Sequence, residues 1–325
     1  MSSLIYQVFT SSALLLLGLF HLISTVRNFL KSPRDFTAKP IHALSLWSAS
    51  SGRLRLLPLY LIIGALTLSF LHQSLSSSEA DVLLKGHSPV HLFTSLQSSA
   101  VILLFLLLAL SLLLSETTYA FSLLPSDLFF ALFSAAFFLH SSVASFKASV
   151  QTSDLQARCD SISSRISAAS SALCLTLAFL PRLFVADVAL AASVCLQGLW
   201  ALQTGLSLYV EAFIPEGCHR LLDVVSGVEG STKCDLDESK LRAVAILDLA
   251  FVVHVIVVVV LVFPVYFVVA KIVGVSRRFG SYEPLPNAAD ANHVQLKTLS
   301  GAQALLLGSF LVQVLGYVIC TASND

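Results

Sequence analysis

Charge is scarce in this chain. Only 12% of its 325 residues are Asp, Glu, Lys or Arg, and 19 basic side chains balance 19 acidic ones. No basic face is interleaved with stacking aromatics, so the composition leaves no footprint for a nucleic-acid partner. Catalytic signatures are missing as well. The sequence contains no His-Glu-x-x-His and no clustered carboxylate within an apolar stretch, the elements that would complete a metal site or supply a general base. No sustained repeat marks an inverted-repeat transporter. The first apolar stretch lacks a basic n-region and continues past His21 without a small-residue cleavage site, so it is read as a retained helix and not as a signal peptide.

Apolar length fills the chain instead. Seven stretches, 4–26, 54–73, 91–114, 125–146, 166–186, 188–210 and 243–270, each reach the roughly 20 residues that a helix needs to cross a hydrocarbon core about 30 Å thick. The Val-rich run in the last would favour a strand in water, but an open strand edge does not survive in lipid. The expected fold is therefore an all-α bundle of about seven transmembrane helices over residues 1–275. Pro181-Arg182 through Asp187 is read as a tight hairpin between the fifth and sixth spans. Residues 276–325 are expected to form a cytoplasmic tail with a short apolar segment, 304–320, too brief for a secure eighth crossing. Within that tail Tyr282-Glu283-Pro284-Leu285 fits the Tyr-x-x-apolar sorting pattern, but patterns so short arise often by chance and an ordinary linker is the favoured reading.

Basic residues set the orientation. Arg27, Lys31, Arg34, Lys39, Arg53 and Arg55 follow the first span, and Lys271, Arg277 and Arg278 follow the last, which places both segments in the cytoplasm and the N-terminus outside. Cys218 and Cys234 then share an exoplasmic loop, where a disulfide between them is permitted.

Polar residues inside the spans are few. His21, His140 and His254 lie on the first, fourth and seventh, and Gln197, Trp200 and Gln203 share one face of the sixth. An intramembrane ionisable group is a functional hypothesis by default. One reading gathers the three histidines around a metal. The plainer one, favoured by the missing carboxylate, keeps them neutral and hydrogen-bonded between helices, with no metal and no cofactor. Asp248 lies too far along its helix to pair with His254, and the Ser161–Ser171 hydroxyls have no local base to activate them.

Gly18-Leu19-Phe20-His21, Gln197-Gly198-Leu199-Trp200 and Phe213-Ile214-Pro215-Glu216-Gly217-Cys218, followed by Cys234 and His254, together resemble the plant branch of the transmembrane protein 45 family. That resemblance covers about residues 10–275 and implies a seven-helix multi-pass protein with a domain of unknown function. The chain departs from the family pattern after His91, where Leu96 and Gln97 stand in place of an acid and a histidine. It departs again after His140, where Val143 and Ala144 replace an acidic partner and its neighbour.

The expected function is that of a non-enzymatic membrane protein embedded in lipid, acting as receptor or scaffold with its polar residues in a packing role. Two alternatives are carried: a carrier or channel lined by Gln197, Gln203, His140 and His254, and a metal-dependent intramembrane hydrolase.

Overall fold

The computed structural model describes residues 2–42, 56–83, 90–118, 125–151, 153–222 and 229–274. Seven helices dominate them: α1 (Ser2–Lys31), α2 (Leu57–Leu83), α3 (Val90–Thr117), α4 (Ser126–Val150), α5 (Asp154–Phe179), α6 (Phe184–Tyr209) and α7 (Asp237–Val273). All seven are long and apolar enough to cross a membrane. Between α6 and α7 lies an antiparallel hairpin, β1 (Cys218–Leu222) and β2 (Glu229–Cys234), with Cys218 opposite Cys234 in register. The apolar tail segment 304–320 and the Tyr282 to Leu285 pattern fall outside the described residues.

The fifth span corrects the sequence reading. It begins at Asp154, not near 166, and ends at Phe179, while α6 restarts at Phe184, so the turn is only four residues long. Arg158, Cys159, Asp160 and Arg165 thereby move from a loop into a helix. Hydropathy is a poor guide here because α5 turns its polar residues toward neighbouring helices. Ser134 and Ser171 exchange hydroxyl-to-carbonyl hydrogen bonds between α4 and α5, at 2.9 Å each, and Ser164 donates to the Ser141 carbonyl at 2.9 Å. On the opposite side Ser170 meets Ser193 of α6 at 2.9 Å. These bonds satisfy groups that lipid cannot.

Close approach joins α1 to α6. A Cβ on Gly18 would lie 2.8 Å from the Cys195 backbone nitrogen, and one on Gly198 would lie 2.9 Å from that of Leu15. Since Gly18 faces Cys195 while Leu15 faces Gly198, the two helices run antiparallel. Without a hydrophobic driving force between helices in lipid, small residues at a seam let van der Waals contact hold them. This pair, with α4, α5 and α7, encloses the main core around Trp200, Phe130 and Leu247. α2 and α3 form a second layer, where Leu59, Ala109 and Leu112 cluster with Phe129 of α4, fastened by Gln73 to Ser95 and Ser74 to Ser99, both at 2.9 Å.

Candidate functional site

The antiparallel seam brings the late residues of α1 beside the first turn of α6. Asp187 occupies that turn, where the helix dipole favours an anion, and its side chain is fully buried. His21 Nε2 lies 2.8 Å from Asp187 Oδ1, and the Thr25 hydroxyl donates to Oδ2 at 2.9 Å. His21 is largely enclosed, with 12% of its side chain exposed. The hairpin assignment for Asp187 is thus overturned: α6 starts three residues earlier, and the carboxylate points into the protein.

The segment after α1 completes the cluster. Phe29 stacks on Phe184 at 4.0 Å between ring centroids, and the buried Phe36 packs edge-on against both. The Ala38 amide donates to the Pro181 carbonyl at 2.7 Å. So tethered, the chain returns His42 to α1. Asn28 Nδ2 donates to His42 Nδ1 at 2.9 Å, and Thr25 Oγ1 lies 3.3 Å from His42 Nε2. His42 is buried, and its ring centroid is 5.2 Å from that of His21.

The donors fix one consistent set of protons. An amide nitrogen only donates, so His42 Nδ1 accepts and its proton sits on Nε2. Thr25 gives its own proton to Asp187, leaving its oxygen to accept from His42 Nε2–H. His21 Nε2–H then serves the other carboxylate oxygen. Burial drives the His42 imidazole from 6.5 down to about 4, His21 and Lys39 push the same way, and Asp187 opposes them. A neutral ring is what the hydrogen bonds require.

His21, His140 and His254 are not brought together: each has its own partner. His140 Nδ1 meets Ser167 Oγ at 2.8 Å, and Ser167 gives its proton to the Ser163 carbonyl at 2.9 Å. The imidazole therefore donates to the hydroxyl, the reverse of the arrangement that activates a serine. His254 Nδ1 donates to the Ala250 carbonyl within α7, at 2.6 Å, and its ring stands edge-on to Trp200. Trp200 Nε1 donates to the Cys159 carbonyl at 3.0 Å, Gln197 Nε2 donates to Ser163 Oγ at 2.7 Å, and Gln203 turns to Ser207 of its own helix at 2.9 Å. Gln197 Oε1 is buried without a partner among the described residues.

Cys218 and Cys234 are joined by a disulfide. The hairpin it closes is held to the bundle by Ser153, which donates to the Thr232 carbonyl at 2.6 Å, and by the Thr232 hydroxyl, which donates to the Leu208 carbonyl at 3.3 Å. Asp248 takes a bidentate bond from Arg158 of α5, both contacts at 2.8 Å. Sequence reasoning missed that pair because Arg158 was assigned to a loop. It missed His42 because nothing local to Pro40-Ile41-His42 signals a return to α1.

Seven membrane-length helices bound together by interior polar pairs define the class: an integral multi-pass membrane protein. Residues 126–267, from the start of α4 into α7, are similar to a family of unknown function (DUF716). The matched segment contains Asp187, Trp200, His254 and both disulfide cysteines, whereas His21 and His42 lie before it. No curated protein matches the chain.

Proposed function

We propose that the protein is a non-enzymatic membrane scaffold of receptor type, belonging with the plant branch of the transmembrane protein 45 family. Its N-terminus is exoplasmic, and residues 276–325 form a cytoplasmic tail. The observation that carries the reading is the use made of the interior polar groups. His140, Ser134, Ser141, Gln197 and Trp200 are each bonded to a neighbouring helix, so they fasten the bundle where a carrier would need them facing a path. The orientation is supported by the six basic residues that begin at Arg27 near the end of α1 and run on to Arg55 beyond it, and by the disulfide, which suits an oxidising compartment. Moving Arg158 and Arg165 from a loop into α5 also removes positive charge from a connection that this orientation places outside. The hairpin and the tail are then the parts that face partners on the two sides.

Protein reconstituted in liposomes tests this directly. The scaffold reading expects no solute flux, a lower melting temperature for His140→Leu and Gln197→Leu, and protease protection that separates a tag after Asp325 from the Cys218 loop. A flux abolished by Gln197→Leu with the melting temperature unchanged would replace the scaffold with a carrier.

A further inference from the structure

Two imidazoles and one carboxylate, drawn from three separate segments, converge at the α1–α6 seam. One ligand atom from each of His21, His42 and Asp187 lies within 4.8 Å of the others. We propose that these three side chains form a binding site for one divalent transition-metal ion of the zinc type. The proposal is independent of the scaffold reading, since a metal here is compatible with a structural or a chemical role.

The donor set selects the class of ion. Mixed imidazole and carboxylate ligands suit Zn²⁺, whereas Mg²⁺ and Ca²⁺ favour oxygen alone. One spacing in the set is also close to what zinc needs, and the others lie within 4.8 Å. Bonds of about 2.0 Å in a tetrahedron leave neighbouring ligand atoms about 3.3 Å apart. His21 Nε2 and Asp187 Oδ1 are already 2.8 Å apart, so modest widening admits the ion in place of the shared proton. Each imidazole then binds through Nε2 and carries its proton on Nδ1. Asn28 supports that tautomer at His42: its amide, 2.9 Å from Nδ1, presents its carbonyl oxygen after rotating by half a turn. Thr25 adjoins both Asp187 and His42 and can hold a water in the fourth position. A cation also compensates the charge of a carboxylate buried where an isolated anion is costly.

The test uses the full-length chain, free of any tag, in lipid nanodiscs after chelator treatment. Titration with Co²⁺ should produce tetrahedral ligand-field bands at one equivalent, displaced one for one by Zn²⁺. Asp187→Asn and His42→Ala should each weaken zinc binding by about 100-fold, Asn28→Ala by about tenfold, and His140→Ala and His254→Ala not at all. Should His42→Ala unfold, the nearly isosteric Asp187→Asn and the wild-type cobalt spectrum carry the test. Absence of a stoichiometric cobalt signal in the wild type, or zinc affinity unchanged by Asp187→Asn, would overturn the site.

Discussion

His21 and His140 both sit on membrane-length helices beside hydroxyl groups, yet they live in different chemistry. At the α1–α6 seam a buried carboxylate binds His21 and Thr25, and a second histidine closes the set from a returning loop. Along α4 and α5, His140 is bonded to Ser167, whose own proton already goes to the Ser163 carbonyl, and Ser141 is paired with Ser164 beside it. The first region concentrates one anion and two bases in a small volume, and such a centre can hold a cation. The second distributes neutral hydrogen bonds along a helix pair, and such a ladder sets register and distance. An intramembrane histidine therefore means little until its partner is known.

The largest expected effect breaks the comparison at its charged end. Asp187→Ala leaves His21 and Thr25 without their shared acceptor and should destabilise the protein by about 2–6 kcal/mol, at about 1–3 kcal/mol for each buried donor left unsatisfied. Thermal unfolding in nanodiscs measures it. A cost below that of Ser167→Ala would erase the distinction between the two regions. Next comes the disulfide. Cys218→Ser opens a loop of sequence separation 16 and should remove about 3 kcal/mol in the chain-entropy model, and the effect should match that of reductant on the wild type while leaving the α1–α6 centre intact.

Seven spans were legible because apolar length alone specifies them. The fifth was misplaced because Arg158, Asp160, Arg165 and the serines lower its hydropathy, although Arg158 is spent on α7 and the serines on α4 and α6. Pro181 did mark a turn. What local sequence did not reveal was how soon the chain resumes helix, and hence that Asp187 belongs to α6. The histidines of the spans were found as candidates by their rarity, and His21 proved to lie in the centre. His42 was invisible because its position depends on tertiary contacts, the Phe29–Phe36–Phe184 packing and the Ala38 to Pro181 hydrogen bond.

Two smaller effects sharpen the contrast. Gly198→Ala forces a methyl against the Leu15 backbone, which cannot move aside as a side chain tip would, and should cost about 1–3 kcal/mol through overpacking. Melting curves will show it, and a neutral result would mean that the α1–α6 seam yields easily. Ser167→Ala removes one rung of the α4–α5 ladder and should cost only about 0.6 kcal/mol, typical of interhelical hydrogen bonds within membranes. Calorimetry on paired samples has the precision to separate that from zero.

The most direct test of the account sets one pair against the other in double-mutant cycles, His21 with Asp187 and His140 with Ser167, both followed by reversible unfolding in the same nanodiscs. The coupling energy of His21 and Asp187 should be several times larger than that of His140 and Ser167, which should stay at about 0.6 kcal/mol. Equal couplings in the two cycles would contradict it.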